Sequence, residues 1–151
     1  MLVEGKFRSY EEDLTDAFEI RRKVFQEEQG VDPEIEFDEL DKAAMHVIIY
    51  VADKAVATGR LIFDGETYRI GRVAVLKEER GKQYGDFVVR MLADRAFQSG
   101  AKEVLLGSQV QVREFYEKLG FVSYGEEYIE AGIRHIPMKL KAASMCSHCK
   151  K

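Results

Sequence analysis

The sequence predicts a single α/β domain of the α+β type, with a mixed, mostly antiparallel central sheet and helices on both faces. Its length of 151 residues, 46% of them hydrophobic, is typical of one compact domain with a buried core. Three consecutive strand patterns are separated only by short turns, which predicts an antiparallel meander. Helical patterns then alternate with short apolar strands, which predicts a parallel crossover. We expect residues 1–141 to form this domain and residues 142–151 to be a disordered tail.

The N-terminal part predicts a strand followed by a long helix. Val3 to Arg8 has the pattern of a strand. Ser9 and Glu12 have the spacing of a capping box, so we expect the helix to begin there and to end before Gly30. The face that packs against the sheet is marked by residues three and four positions apart, which are Leu14, Ala17, Phe18, Arg21, Val24 and Phe25.

Residues 27–41 form an acidic segment with no regular period. Its acids are Glu27, Glu28, Asp32, Glu34, Glu36, Asp38, Glu39 and Asp41. We expect a loop without a stable core element, in which Ile35, Phe37 and Leu40 anchor at most one turn. The acids favour a subsite for a cationic amine, and a solvated charged loop is an equally good interpretation.

The predicted meander occupies residues 45–51, 55–63 and 67–75. In its third strand the apolar alternation slips by one residue around Gly71-Arg72, which predicts a β-bulge. The elements that follow are a helix from Gly85 to about Ser99, a strand from Val104 to Leu106, a helix from Val112 to Leu119, and strands from Phe121 to Tyr124 and from His135 to Leu140. The first of these strands follows the meander through a helix, so it should pair in parallel with the third meander strand.

The loop Arg80-Gly81-Lys82-Gln83-Tyr84-Gly85 joins the meander to the next helix. Successive backbone amides at a helix N-terminus can hold an anion, and glycines let the backbone approach it closely. Arg80 and Lys82 add positive charge. The pattern predicts a phosphate-binding loop, and an ordinary polar connection with capping glycines is the alternative interpretation.

This order of elements, with Phe115-Tyr116-Glu117-Lys118-Leu119-Gly120-Phe121 after the parallel strand, resembles the GNAT superfamily of acetyl-CoA-dependent N-acetyltransferases. The family loop reads Arg/Gln-x-x-Gly-x-Gly/Ala, and Arg80, Gln83 and Gly85 match it except that Gln83 replaces the middle glycine. The segments that resemble the bacterial YjcF and ElaA-like branch more narrowly are Ile20 to Phe25, Glu28 to Val31, Phe37 to Asp41 and Glu130 to Met138.

The resemblance implies a cleft for acetyl-CoA, which opens where two strands of the sheet splay apart. The backbone of residues 73 to 75 would bind the pantetheine arm, and the glycine-containing loop would bind the pyrophosphate. The implied cofactor-binding residues are Val73, Ala74, Val75, Arg80, Gly81, Lys82, Gln83, Tyr84, Gly85, Asp86, Ser108, Arg113 and Phe115.

The resemblance also implies transfer of an acetyl group from acetyl-CoA to a primary amine by direct attack, and we expect a small-molecule amine. Tyr116 is the implied acid for the leaving thiolate, and a backbone N–H near Val75 is the implied oxyanion donor. Helical spacing alone favours a buried core tyrosine at this position. The alternative functions are an acyl-CoA-binding regulatory module without turnover and a protein or peptide N-acetyltransferase.

The pattern does not specify which base takes the proton of the amine. Glu28 and His46 are our catalytic candidates, and release of the proton through a chain of waters is an alternative. The predicted substrate-binding residues, which are further candidates for the base, are Glu28, Glu36, Asp38, Asp41 and His135. For each residue taken singly, an ordinary surface or strand-end position is the competing interpretation.

Composition excludes several classes of partner. A net charge of -4 and a pI near 5.5 argue against binding to a nucleic acid backbone. No apolar run approaches the about 20 residues that span a membrane, so we expect a cytoplasmic protein without a membrane partner. Cys146, His148 and Cys149 supply too few ligands for a structural zinc site, so we expect no metal. A homodimer is an expectation from the resemblance.

Overall fold

An eight-stranded sheet is the centre of the computed structural model, which describes residues 2–143 of the chain. The strands are β1 (Val3–Arg8), β2 (Met45–Val51), β3 (Lys54–Phe63), β4 (Tyr68–Val75), β5 (Glu103–Gln109), β6 (Val122–Ser123), β7 (Tyr128–Glu130) and β8 (Ile133–Lys141). Their order is β1-β2-β3-β4-β5-β8-β6, with β7 paired to β8. Among these strands β4 and β5 pair in parallel and the other pairs are antiparallel. The mixed, mostly antiparallel sheet is confirmed.

Helices cover both faces of this sheet. They are α1 (Thr15–Arg21), which continues as a π-helix (Arg22–Glu28), α2 (Pro33–Glu36), α3 (Tyr84–Gln98) and α4 (Arg113–Lys118), with short 3-10 turns at Glu39–Ala43, Lys77–Glu79 and Val110–Val112. Ile48 of β2 packs with α1, whereas its neighbours Val47 and Ile49 pack with α3 and α4. Successive strand residues point to opposite faces, so α1 lies on one face and α3 on the other.

The start of the first helix differs from the prediction. The capping box forms, because the Ser9 N–H donates to the Glu12 carboxylate at 2.9 Å, but it closes a turn instead of opening a helix. The helix begins only at Thr15, whose N–H donates to Asp13 Oδ1 at 2.9 Å. Leu14 is the first residue of this region to be buried against the sheet, and burial of an apolar face supplies most of the stability of a short helix.

The acidic segment is more ordered than predicted. It contains α2 and the 3-10 turn Glu39–Ala43, and the Asp32 and Asp38 side chains cap their first N–H groups at 2.9 and 3.2 Å. Ile35 and Leu40 are each 50% exposed, so apolar anchoring by these two residues is wrong. The segment is instead held by acids that are buried against arginines, as described below.

The predicted β-bulge lies at Arg72. Thr58 of β3 pairs with Ala74 of β4, but Arg60 pairs with Gly71, so two residues of β4 oppose one residue of β3. Arg72 has a φ of +51°, which is the left-handed backbone that a bulge residue can adopt. The bulge changes which side chains of β4 face each side of the sheet beyond this point.

The strands β4 and β5 separate beyond the bulge. Their pairing covers Tyr68, Arg69 and Ile70 of β4 and ends opposite Leu106 of β5. Both strands nevertheless continue, β4 as far as Val75 and β5 as far as Gln109. The sheet is therefore open between the two strand ends, and the splayed cleft is confirmed.

The strand β7 was not predicted, so the hairpin that it forms with β8 was missed. Ala131 and Gly132 both have positive φ, at 53° and 76°, which is the geometry of a two-residue hairpin turn. The last strand accordingly starts at Ile133, two residues earlier than predicted. None of the helices in residues 2–143 is long and apolar enough to cross a membrane, and Cys146, His148 and Cys149 lie outside the described residues.

Candidate active site

A cleft of about 1120 Å³ lies between the separated ends of β4 and β5. One end, here called the loop end, is formed by residues 79–86 at the start of α3. The other, here called the hairpin end, is lined by Tyr128 and His135 from the β7–β8 hairpin. The acidic segment lines the cleft between them through Ile35, Glu36 and Asp38. Side chains from distant parts of the sequence thus meet in one continuous space.

The start of α3 presents backbone amides that can bind an anion. Phe87 is the first residue whose N–H bonds back to the preceding turn, at 3.1 Å to the Gln83 carbonyl. No side chain caps the helix, and within residues 2–143 the N–H groups of Tyr84, Gly85 and Asp86 have no hydrogen-bond partner. Three free donors at the positive end of a 15-residue helix suit a phosphate group.

The backbone of this loop explains its glycine pattern. Gly81 has a φ of +82°, and Gln83 also lies in the left-handed region at +69°. A non-glycine residue there costs about 1 kcal/mol, which is why the family loop places a glycine at the position of Gln83. A Cβ at Gly85 would lie 3.3 Å from Phe115 and 3.4 Å from Val75, so glycine lets the helix start approach the cleft wall closely.

The free edge of β4 supplies further backbone groups. The N–H of Leu76 bonds to the Val56 carbonyl at 3.0 Å, on the β3 side. Because alternate residues of a strand direct their hydrogen-bonding groups to opposite edges, Val73 and Val75 direct theirs into the cleft. The Val75 carbonyl accepts a hydrogen bond from Arg80 Nε at 3.1 Å, which agrees with this orientation. The edge can pair with an amide-bearing ligand.

Arg80 also binds Glu28, and this contact changes the interpretation of both residues. Its two terminal nitrogens donate to the two carboxylate oxygens of Glu28 at 2.6 and 2.7 Å. Hydrogen bonding to Arg80 lowers the pKa of the Glu28 carboxyl below its usual value. A general base works best with a pKa near the operating pH, so Glu28 is a poor base while the pair is closed.

Tyr116 of α4 is a buried residue of the cleft wall. It is 8% exposed, lines the cleft, and packs edge-to-face against Phe115 and Phe121 with centroid distances of 4.9 and 5.7 Å. Burial raises the pKa of the Tyr116 hydroxyl well above its usual value. In the described part of the chain this hydroxyl has no hydrogen-bond partner. The geometry provides a protonated phenol with a free donor at the cleft.

The structure brings most predicted cofactor residues into the cleft, which are Val73, Ala74, Val75, Arg80, Gly81, Gln83, Tyr84, Gly85, Asp86 and Phe115. Three others do not line it. Lys82 Nζ lies 3.1 Å from Glu79 Oε1, and Arg113 pairs with Glu117 along its own helix. Ser108 is buried, and its hydroxyl donates to the Gln109 carbonyl at 2.8 Å. Strand alternation explains the last case, because the neighbours of Ser108 on β5 line the cleft in its place.

Three of the four acids predicted to bind an amine belong instead to a network with three arginines, here called the charge cluster. Its members are Arg21, Glu36, Asp38, Asp41, Arg60 and Arg72. Arg21 donates to Glu36 at 2.8 Å and to Asp41 at 2.8 Å. Arg60 bridges Asp41 and Asp38 at 2.8 and 2.7 Å. Their carboxylates are therefore already paired, and Asp41 does not reach the cleft.

The structure does not bring His46 into the cleft. Its side chain is 1% exposed, and Nε2 lies 3.1 Å from the Asp41 carbonyl oxygen. A carbonyl only accepts, so this nitrogen carries a proton and cannot take another. Burial lowers the pKa of His46. We therefore withdraw His46 as a catalytic candidate, since it supports the charge cluster.

His135 is the histidine that the fold places at the cleft. It belongs to β8, is 8% exposed, and stacks on Tyr128 of β7. Tyr128 was not among the predicted site residues because its strand was missed. The Ala131-Gly132 turn between two short apolar patterns was the signal that could have revealed it.

Comparison with known proteins decides the family. A family described as "Acetyltransferase (GNAT) domain" matches residues 11–142, which is most of the chain. The chain belongs to the GNAT acetyltransferase family. Its members are acyltransferases, so this chain is an enzyme of that class.

The relatives of this GNAT chain support the same family. "Uncharacterized N-acetyltransferase YjcF" of Bacillus subtilis is 36% identical over 129 residues, which cover 85% of this chain and 92% of YjcF. The crystal structure of Escherichia coli ElaA is 28% identical and covers 91% of this chain and 99% of its own, with a TM-score of 0.82. A GNAT acetyltransferase of Elizabethkingia anophelis, solved with acetyl-CoA bound, shares the fold at 15% identity, covering 92% and 97% of the two chains with a TM-score of 0.69.

Proposed function

We propose that this enzyme transfers an acetyl group from acetyl-CoA to the primary amine of a small molecule. The observation that carries the proposal is the opening between β4 and β5, which lies beside the free amides of Tyr84, Gly85 and Asp86. One end of a long ligand can bind these amides while its other end lies between the strands. These two binding regions match a molecule that has a pyrophosphate at one end and a thioester at the other.

The residues of the loop end fit acetyl-CoA, which would supply the acetyl group as a reactive thioester. The three free amides would bind the pyrophosphate, with Gly85 allowing close approach. The free edge of β4 would pair with the amides of the pantetheine arm through Val73 and Val75. The acetyl-CoA-bound Elizabethkingia structure supports this choice, because it has the same fold.

Two groups of the chain would stabilise the reaction. The Val75 N–H faces the cleft and would donate to the thioester oxygen as negative charge develops there. Tyr116 would donate its proton to the departing sulfur. Since burial raises the pKa of Tyr116, the phenol stays protonated throughout the neutral range and remains available as an acid.

The hairpin end of the cleft favours a small molecule as the amine that accepts the acetyl group. Tyr128 of the β7–β8 hairpin lines this end, and Ile35 and Asp38 of the acidic segment line the adjoining part of the cleft. An extended peptide would need an open groove across this region. The identity of the amine, the homodimer and the cytoplasmic location stay predictions.

Calorimetric titration with acetyl-CoA tests the proposal, followed by thiol-release assays with polyamines, aminosugars, amino acids and short peptides. Binding together with release on one class of small amine supports the enzyme and identifies its substrate class. Binding without release on any amine would favour a regulatory acyl-CoA-binding module. Release on peptides alone would favour a protein N-acetyltransferase, and absence of binding would overturn the cofactor assignment.

A further inference from the structure

His135 is held beside the point where the sheet opens. The pairing of β4 with β5 ends at Leu106, and Gly107 is the next residue of β5. A Cβ on Gly107 would lie 1.9 Å from the Tyr128 hydroxyl and 4.0 Å from Cδ2 of His135. The missing side chain at Gly107 therefore admits both rings to the edge of β5. The acyl group of a ligand between the strands would lie at this same edge.

The backbone of the hairpin determines which nitrogen of His135 is free. Nδ1 lies 2.8 Å from the Ile133 carbonyl oxygen. A carbonyl oxygen only accepts hydrogen bonds, so Nδ1 must carry the proton. In the neutral ring, Nε2 then has an unshared electron pair. Stacking on Tyr128, with a centroid distance of 5.5 Å and an interplanar angle of 20°, restrains the ring in this orientation.

Other groups that could accept a proton in the cleft are already paired with cations. Arginine or lysine side chains bind the cleft carboxylates Glu28, Glu36, Asp38, Glu79 and Asp86. Glu130 of β7 also lines the cleft and makes no ion pair in residues 2–143, but it is exposed to water. Charged groups near the hairpin include Arg69 of β4 and the exposed pair of Arg134 and Glu127, and Lys118 of α4 lines the same cleft. His135 is thus the unpaired neutral acceptor that the cleft shelters.

We infer that His135 is the general base of the acetyl transfer, an inference that rests on the proposed function. Nε2 takes one proton from the bound ammonium group, which frees the lone pair on nitrogen. That lone pair forms the C–N bond to the acetyl carbon, and the C–S bond breaks with its electron pair going to sulfur. Tyr116 protonates the sulfur, the excess proton on the new amide nitrogen restores Tyr116 through solvent, and His135 returns its proton to solvent.

The test is the pH profile of kcat/KM for His135→Asn. Asparagine can keep the hydrogen bond to the Ile133 carbonyl but cannot take a proton. The wild-type kcat/KM should change little with pH near neutrality, because a group of the enzyme takes the proton of the amine. The variant should lose about 10²- to 10⁴-fold at neutral pH, and its rate should rise tenfold per pH unit until the amine itself is deprotonated.

Two controls separate the base from a structural role. Glu130→Gln removes the exposed carboxylate of the same hairpin and should leave the wild-type profile unchanged. Acetyl-CoA affinity, measured by calorimetry, should be the same in both variants and the wild type. If the wild type turns over and His135→Asn keeps its profile, this inference is overturned while the proposed function stands. If the wild type acetylates no amine, both fail.

The tautomer offers a readout that does not depend on turnover. Nitrogen chemical shifts of the histidine rings, assigned by comparison with His135→Asn, report which ring nitrogen carries the proton. The inference expects Nδ1 protonated and Nε2 bare in the neutral ring of the unliganded wild type. Protonation of Nε2 in that state would overturn it, whatever the assays show.

Discussion

Arg80 and Glu28 are joined by two parallel hydrogen bonds of 2.6 and 2.7 Å across the loop end of the cleft. Glu28 is the last residue of the π-helix that continues α1, and Arg80 belongs to the loop before α3. The sequence assigned one residue to proton transfer and the other to the pyrophosphate. The structure shows them bound to each other, so Glu28 neutralises positive charge that Arg80 would otherwise offer to a phosphate.

Removing the charge of Glu28 should therefore strengthen cofactor binding. An ion pair that is partly exposed contributes roughly 0.2 to 1 kcal/mol, so Glu28→Gln should tighten acetyl-CoA binding by about 1.5- to 5-fold. Glu79→Gln removes the same charge from the loop end of the cleft and is the matched control, since Glu79 pairs with Lys82 and Lys54 instead of Arg80. Calorimetry measures both affinities. Equal effects of the two changes would mean that only the loop's net charge matters.

Tyr116→Phe should lower kcat by about 10²- to 10⁴-fold, because it removes only the hydroxyl that protonates the leaving thiolate. Acetyl-CoA affinity and the free energy of unfolding should change little, since the ring keeps its contacts with Phe115 and Phe121. Thiol-release kinetics with saturating amine measure the effect. An unchanged kcat would contradict the assignment and leave Tyr116 as a core residue.

Substitution at Gly85 should weaken acetyl-CoA binding in proportion to the size and charge of the new side chain. Gly85→Ala places one methyl group against Phe115 and Val75 at 3.3 and 3.4 Å, which small side-chain shifts can accommodate. Gly85→Glu adds a carboxylate at the anion site and should weaken binding by at least about tenfold, since each 1.4 kcal/mol is tenfold in affinity. Calorimetry checks this, and equal affinities for the two variants would move the pyrophosphate elsewhere.

The charge cluster should contribute to the free energy of unfolding through Arg21, which is buried. Arg21→Met leaves the carboxylates of Glu36 and Asp41 without this partner, and breaking a buried pair typically costs about 3 to 5 kcal/mol. The next residue offers a matched control, because Arg22 pairs with acids at the surface, where ion pairs contribute roughly 0 to 1 kcal/mol. Urea unfolding of Arg21→Met and Arg22→Met measures both. Similar losses would contradict a structural role of the cluster.

Acidification should lower the free energy of unfolding in two separate steps. Burial lowers the pKa of His46, so below about pH 6.5 the unfolded chain binds more protons than the folded chain. The free energy of unfolding therefore decreases as the pH is lowered. For Asp41, burial raises the pKa but hydrogen bonds and charges of Arg21 and Arg60 outweigh it, so the net pKa is lowered. Its contribution is present above about pH 4 and is lost below that.

Urea midpoints measured from pH 8 to pH 3.5 test these steps. His46→Gln should abolish the decline that begins below about pH 6.5 while leaving the decline below about pH 4 in place. The slopes are the readout, because the substitution itself can shift the midpoint at every pH. A variant that retains the upper decline would assign it to a group other than His46.

Several parts of the site could be predicted from the sequence because their signals are local. The bulge at Arg72 appeared as a slip in strand alternation around Gly71-Arg72, and the helix was predicted from Gly85, one residue after its start at Tyr84. Backbone geometry over a few residues depends mainly on those residues and their sterics. The bulge and the glycine-containing loop were accessible for this reason, whereas the opening of the sheet was implied by the resemblance to the GNAT family.

The roles of the acids could not be predicted, because their partners are distant in the chain. Arg21 is 15 residues from Glu36 and 20 from Asp41, and Arg60 is 19 from Asp41. The sequence alone does not distinguish the buried acids of this segment from the exposed ones. That difference arises only when α1 packs against the sheet. The Ser9 and Glu12 capping box likewise formed locally without a helix following it, because burial against the sheet starts at Leu14.

The sequence by itself determined most of the order of elements and the resemblance to the family, and it predicted the anion-binding loop, since each depends on short-range patterns. Tertiary structure alone decided that Glu28 is bound to Arg80, that His46 is buried, and that His135 faces the cleft with one ring nitrogen directed to the Ile133 carbonyl. The physical reason is that the state of an ionisable side chain depends on the partners and the burial it finds after folding. Those come from strands and helices that the sequence places far apart.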